Sequence, residues 1–424
     1  LIIPKTIVVG RDARESSPEL ATALMSGIMD SGANVLDIGL SGTEEMYWAV
    51  TEFNACAGIE VTASHNPINY NGLKIVKSGS RPLNPETDFQ VIKKITELGD
   101  YQALGPTGSI KDISLLARKI YVKKVLSFIN ISKLKAHKII VNSGNGAAGP
   151  TFDSIADLLK ANNSPIEFIR MNHDPDHTFP NGIPNPLLIE NHAPMQRMVL
   201  QHSADFGIAF DGDFDRCFFF DEKGQFVSGE YIVGLLASVF LDKEPQSTIV
   251  HDPRVIWNVK DIVRKKGGFS VLSQTGHAFI KQNMRKNKAV YGGELSAHHY
   301  FQEFSYCDSG MIPWLLILEL LSKLNTSLSA FVNSRYNKFP SSGEINFNIK
   351  DPQKVLDLIK EHYSAESINS CDLDGLSLDF ENWRLNLRKS NTEPLVRLNI
   401  ECRNRASLVG EKIREVSALI NSIN

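Results

Sequence analysis

Asp205-Phe-Gly-Ile-Ala-Phe210-Asp211-Gly-Asp213-Phe-Asp215-Arg216-Cys217-Phe-Phe-Phe220 sets three carboxylates between two apolar runs. The runs, Asp205–Phe210 and Cys217–Phe220, read as strands, and the acidic stretch between them as a loop. Carboxylates this close repel one another unless a cation or protons intervene. Hard oxygen ligands in a short loop suit Mg²⁺, which takes a few protein carboxylates and completes its shell with phosphate or water. A calcium loop shares the spacing of Asp211, Asp213, Asp215 and Glu222, but it needs glycine where Arg216 stands. A solvated acidic turn is the plain alternative, and the apolar flanks oppose it.

Outward from this stretch, strand and helix signals alternate. Lys5–Val9 is β-branched. Ser17-Pro18 then offers a cap and a first-turn proline to a helix that Gly32 closes, and Val35–Leu40 is a strand again. The alternation recurs at Lys138–Val141 with Phe152–Lys160, Thr248–His251 with Val255–Lys265, and Phe269–Leu272 with Ala278–Lys286. Such alternation predicts βαβ units with parallel or mixed sheets. The tail differs: Glu344–Ile349, Trp383–Arg388 and Leu395–Glu401 alternate apolar with polar residues, as half-exposed antiparallel strands do, before a helix over Ala406–Ile420. Breaks fall near Pro106-Thr107-Gly108, Glu222–Gln225 and Phe339-Pro340-Ser341-Ser342-Gly343. The expected domains are 1–109, 110–223, 224–336 and 337–424.

Three further stretches carry chemistry. In Thr62-Ala-Ser64-His65-Asn66-Pro67, followed by Asn71-Gly72 and Lys74, a strand over Gly58–Val61 runs into turn dipeptides. Ser64 is a nucleophile if a base or metal activates it, and otherwise a turn residue. In Gly292-Gly-Glu294-Leu-Ser296-Ala-His298-His299, Glu294, Ser296 and His298 share one side of an extended segment, suited to a polyhydroxylated ligand. A paired-histidine metal site is discounted because adjacent histidines point apart. Arg388-Lys-Ser390-Asn391-Thr392-Glu-Pro394, between two strands, has the forked cation and small donors that bind phosphate, or is a polar hairpin turn. Against these stands Gly144-Asn-Gly146-Ala-Ala-Gly149, a literal dinucleotide-binding fingerprint. The acidic residue expected at the end of the following strand is absent, so a glycine-rich turn is preferred over an NAD site.

The chain's 424 residues exceed what one core usually serves, and a net charge of -3 gives no field for nucleic acid. Five scattered cysteines without a CxxC pair suggest neither a disulfide framework nor a thiolate zinc site. The most apolar stretch, Met311–Leu321, is too short to span a bilayer. Leu1-Ile-Ile-Pro-Lys5 runs straight into a strand with no leader pattern, so a reducing cytoplasm is expected.

Taken in series, TASHNP at Thr62–Pro67, DGDFDR at Asp211–Arg216, GELS at Gly293–Ser296 and RKSNTEP at Arg388–Pro394 resemble the signatures of the α-D-phosphohexomutase superfamily. The wording around Thr43, Glu294 and Cys307 is most similar to its bacterial phosphomannomutase branch. The resemblance implies three related α/β domains with mixed sheets and a smaller α+β C-terminal domain around a central cleft. It implies interconversion of mannose 6-phosphate and mannose 1-phosphate through a phosphoserine and a hexose 1,6-bisphosphate, feeding nucleotide-sugar and surface-polysaccharide synthesis. Phosphoglucomutase and phosphoglucosamine mutase activities are the alternatives, and a truncated, inactive sugar-phosphate binder is one of another class. Ser64 would carry the phosphoryl group, on Mg²⁺ held by Asp211, Asp213 and Asp215. His65, Lys74, Arg216 and His277 would surround it, with Lys74 as acid/base through a lowered pKa. Glu294, Ser296 and His298 would bind sugar, and Arg388, Ser390, Asn391 and Thr392 the distant phosphate. The partners are hexose phosphates, with no nucleic acid and no membrane, and the protein is a monomer or homodimer. Two departures are an alanine, Ala297, where the sugar loop usually ends in glycine, and the absence of the opening Tyr-Asp-x-Arg-Gly segment with its helix. The second implies that a strand such as Lys5–Val9 is left with unpaired backbone and exposed apolar surface.

Overall fold

A computed structural model describes residues 6–99, 107–390 and 394–422. The chain falls into two compact units, Leu1–Phe226 with His298–Ser327, and Val227–Ala297 with Leu328–Asn424.

The first unit holds two α/β sheets. Thr6–Arg11 lies in the middle of the first, parallel to Asn34–Leu40 on one side and to Ala57–Val61 on the other. Leu73–Lys77 and then Arg81–Pro82 extend it antiparallel, and Ile110–Asp112 adds a parallel strand at the far edge. The sheet is therefore mixed. The open edge expected at Lys5–Val9 does not occur over its described part, because the strand from Thr6 on is paired on both sides. Exposed apolar side chains gather instead on the helix Asp88–Leu98, where Phe89, Val91, Ile95 and Leu98 all face out. The helix Ser17–Asp30 begins one residue before Pro18, so Ser17 is not the cap: its hydroxyl donates to Asp12.

The second sheet places Phe206–Phe210 between parallel His137–Asn142 and antiparallel Cys217–Asp221, with Ile166–Met171 beyond His137–Asn142. Both strands beside the acidic loop are buried throughout. That burial is what keeps the three aspartates from being a solvated turn. The hairpin His299–Phe301 with Cys307–Asp308 and the buried helix Met311–Leu324 complete this unit. Trp314 of that helix packs on Phe152 and Phe168.

The second unit has three parallel strands, Thr248–His251 lying between Phe269–Leu272 and Tyr291–Gly293. Helices Gly229–Lys243, Trp257–Lys265 and His277–Asn287 alternate with them. Its remainder is an antiparallel sheet in the order Ser341–Asn348, Leu395–Cys402, Trp383–Lys389, Leu376–Asp379, Asn369–Cys371. Helices Pro352–Tyr363 and Ala406–Asn421 pack on it through Val355, Ile359, Val416 and Ile420. Three α/β sheets and an antiparallel C-terminal sheet are the expected fold class. No single helix among the described residues is long and apolar enough to cross a membrane.

Candidate functional site

The serine loop starts where Ala57–Val61 ends. Thr62 Oγ1 accepts the Ser64 amide at 2.9 Å, and Ser64 takes a left-handed backbone, φ +50. That turn aims its hydroxyl out of the strand direction, so that Oγ donates to Asp211 Oδ2 at 2.9 Å and lies 3.1 Å from His65 Nδ1. Arg216 donates from Nε to the same Asp211 oxygen at 2.7 Å and lies 2.5 Å from His65 Nδ1 through Nη2. Loss of surrounding water, and then the neighbouring guanidinium, push the His65 imidazole below its ordinary pKa.

In the acidic loop, Asp211, Asp213 and Asp215 place oxygens within 4.8 Å of one another. Lys74 Nζ bridges Asp213 Oδ2 at 2.6 Å and Asp215 Oδ2 at 2.5 Å, and Thr43 also donates to Asp213. The other oxygens, Asp213 Oδ1 and Asp215 Oδ1, are buried without a hydrogen-bond partner among the described residues. Buried acceptors in that state are costly, and a hard cation among them removes the cost. Burial and the adjoining Asp213 push Asp215 up, while Lys74 and its hydrogen bonds hold Asp213 down against burial. Lys74 reverses the expectation of a lowered pKa. Burial does lower it, but the two carboxylates outweigh burial and hold the ammonium above its usual range.

Two residues missed in the sequence shape the serine loop. Arg14, 2% exposed, donates to the carbonyls of Ser64 at 2.9 Å, Asn66 at 2.6 Å, Pro67 at 2.9 Å and Tyr70 at 2.9 Å. Asp12 anchors it through Nε at 3.4 Å and accepts from Thr62 Oγ1 at 2.7 Å. The only signal was Arg11-Asp12-Ala13-Arg14, charge gathered just past a β-branched strand.

Glycines bring the loops together. A Cβ on Gly212 would lie 2.5 Å from the Ser64 carbonyl oxygen, and one on Gly146 would lie 2.7 Å from the Gly212 oxygen. Ala147 N–H donates to that same Gly212 carbonyl at 3.0 Å. The Gly144–Gly149 stretch is therefore a close-packed turn backing the acidic loop.

The Glu294–His298 segment is not the extended strand expected. It is a tight turn closed by Ala297 N–H on the Glu294 carbonyl at 3.1 Å, with Ala297 at φ +68. A left-handed backbone suits glycine, which is why an alanine there is unusual. The turn parts its residues: His298 falls in the first unit, with Nδ1 3.0 Å from Asp308 Oδ2 and 3.9 Å from Asp215 Oδ1. Glu294 and Ser296 stay in the second unit, where Glu294 Oε2 accepts the Gly276 amide at 2.9 Å. His277 opens the helix that follows Gly276. Arg254, buried, pairs with Asp252 at 2.6 Å and reaches Ser296 Oγ at 3.4 Å.

Arg388 is next to last in the strand Trp383–Lys389 and donates from Nη2 to Glu344 Oε2 at 3.0 Å. Ser390 N–H returns to the Leu395 carbonyl at 2.9 Å, closing the loop. Asn391 and Thr392 lie outside the described residues. Among the described residues, the Nε–H groups of Arg254 and Arg388 are buried without an acceptor. The first unit thus gathers Ser64, His65, Lys74, Arg216 and the three aspartates, and the second a cluster of arginines.

Family profiles match the chain in four consecutive parts. They are described as phosphoglucomutase/phosphomannomutase alpha/beta/alpha domain I at residues 3–102, domain II at 119–224, domain III at 228–339 and the C-terminal domain at 344–416. A phosphomannomutase of Salmonella montevideo is 51% identical over 421 residues, covering 99% of this chain and 92% of that protein. A solved phosphoglucomutase/phosphomannomutase family protein from Burkholderia thailandensis superposes with TM-score 0.85 at 27% identity, over 99% of this chain and 90% of that one. The N-acetylphosphoglucosamine mutase of Aspergillus fumigatus, solved with GlcNAc-6P and magnesium, shares the fold at TM-score 0.62 and 15% identity, over 96% of this chain and 99% of its own.

Proposed function

The chain belongs to the α-D-phosphohexomutase superfamily, and from that premise we propose that it is a phosphomannomutase whose phosphoryl carrier is Ser64. The observation that carries the reading is the Ser64 hydroxyl resting on Asp211 beside two carboxylates with unpaired buried oxygens. A carrier hydroxyl needs a cation to offset phosphate charge, and those oxygens suit one. Asp211, Asp213 and Asp215 would hold Mg²⁺, which supplies electrostatic stabilisation of the transferring group. The magnesium in the Aspergillus relative supports the choice of ion.

In the reaction the bond between Ser64 Oγ and phosphorus breaks as a sugar-phosphate hydroxyl takes the phosphoryl group, giving a hexose 1,6-bisphosphate. The other phosphoryl group then returns to Ser64. Arg216, with His65 beside it, offsets charge on the group in transit. His65, Lys74 and His298 are the side chains beside the acidic loop that can exchange the hydroxyl proton, and Lys74, held as an ammonium, serves as the donor among them. Glu294 and Ser296 hold sugar hydroxyls, with His277 near the turn. Arg388, Ser390, Asn391 and Thr392 grip the phosphate that is not reacting. The substrates are hexose phosphates, and the four matched parts serve as domains with the boundaries given above. A cytoplasmic location goes with this reading, since five scattered cysteines without a CxxC pair suit a reducing compartment.

Half-identity to phosphomannomutases over the whole chain supports mannose over glucose. A coupled assay with a trace of bisphosphate, comparing mannose 1-phosphate with glucose 1-phosphate, tests this. Higher kcat/KM for the mannose ester is the expected result, and a preference for the glucose ester overturns the assignment.

A further inference from the structure

Arg388, to which the proposed function gives a phosphate, already has an anion. Glu344 Oε2 accepts from Arg388 Nη2 at 3.0 Å and from Arg254 Nη1 at 3.4 Å, while its Oε1 accepts from Arg397 Nη1 at 3.4 Å. One carboxylate therefore holds three guanidinium groups. Arg388 and Arg397 stand directly opposite each other on adjacent strands, a like-charge pairing that is destabilising by itself. Glu344 sits on the next strand over, where it can offset both.

The charges of this cluster cancel. Arg254, Arg388 and Arg397 face Asp252, Glu294 and Glu344, with Arg254 3.8 Å from Glu294. The hydrogen bonds do not balance, since among the described residues the Nε–H donors of Arg254 and Arg388 remain buried without acceptors. A cluster with donors to spare and no positive charge to spare accepts a new anion readily only if the resident one gives way.

We infer that Glu344 is an internal competitor for phosphate: its carboxylate occupies the arginine cluster, and an incoming phosphate oxygen takes over its place on Arg388. The inference rests on the reading of Arg388 as a phosphate residue and deepens it. It makes Glu344 a positioning residue that sets the grip as a difference between two anions. A grip of that kind releases as easily as it forms. An intermediate that must let go and rebind reversed requires this, whereas arginines facing no competitor would hold a dianion too long.

The test measures inorganic phosphate binding calorimetrically on the full chain. Glu344→Gln keeps the shape and an acceptor oxygen while removing the charge, so phosphate should bind about tenfold tighter. The kcat of this variant should fall as release slows, with KM falling too. Glu344→Asp, which draws the charge back by one methylene, should tighten phosphate by a smaller factor and serves if the glutamine variant folds poorly. Unchanged or weaker binding in both variants means that Glu344 only braces the arginines, and overturns the inference. Arg388→Ala separates the two ideas: if it leaves phosphate binding intact, the reading of Arg388 fails and the inference with it. If it abolishes binding while the Glu344 variants match the parent, only the inference fails.

Discussion

The acidic loop and the arginine cluster are opposites built by the same rule. At Asp211–Asp215 the atoms left over are acceptors, Asp213 Oδ1 and Asp215 Oδ1; at Arg254 and Arg388 they are donors, the two Nε–H groups. Each region is internally paired, by Lys74 in one and Glu344 in the other. Each keeps a surplus of one kind of polar atom in a place closed to water. The surplus names the ligand: a cation for the first, an anion for the second. Net charge alone would not separate them, since carboxylates and cations occur in both.

The comparison breaks first at Ser64. Ser64→Ala should abolish turnover, by at least about 10³-fold, and remove any phosphorylated species seen by intact mass. Phosphate found on another residue would move the carrier away from the acidic loop. Arg14→Met keeps the nucleophile but frees its loop and strands Asp12 as a buried charge. We expect a loss on the order of 10² in kcat/KM and about 3 kcal/mol in stability by urea titration. A fully active variant would show that the loop holds its shape unaided.

Asp213→Asn sharpens the cation half of the comparison: the Mg²⁺ concentration for half-maximal activity should rise about tenfold or more. An unchanged titration would place the metal elsewhere. Arg388→Ala addresses the anion half. It removes a contact made in ground and transition states alike, so KM should rise about tenfold with a smaller change in kcat, and a pure kcat defect would contradict the role.

One effect touches stability rather than turnover, and both units share it. Burial lowers the imidazole of His251 to about 4 and that of His299 to about 3. The unfolded chain takes up these protons near pH 6.5 while the folded chain refuses them, so stability is lost as pH falls from about 6.5 towards 4. At pH 5 the loss is about 2 kcal/mol for each histidine. A denaturation midpoint that stays level from pH 7 to 5 would mean that the histidines are not the buried neutral groups described.

The acidic loop was legible because its chemistry is carried by side chains packed into five consecutive residues between apolar strands. The alternation of strands and helices was legible for a similar reason, being local and periodic. Arg14 was not, since its partners are carbonyls, which every residue has, lying 50 to 56 positions further on. Glu344 hid in an alternating strand, where a carboxylate looks like any outward polar residue. The turn at Ala297 hid because alternating Glu294, Ser296 and His298 imitate an extended face, and only the positive φ shows otherwise.

The cage of carbonyls around Arg14 also has a consequence in time. The guanidinium and the loop it holds approach each other only after Thr6–Arg11 has paired with Ala57–Val61, a parallel contact that must close a loop of about fifty residues. Non-local parallel pairing is slow to form, and the short-range bonds inside the Ser64 loop, such as Ser64 N–H on Thr62 Oγ1, do not by themselves supply the Arg14 anchor. During refolding, helices and the local Ala57–Val61 hairpin with Leu73–Lys77 therefore appear first, and a competent nucleophile arrives with the last stages of the first sheet.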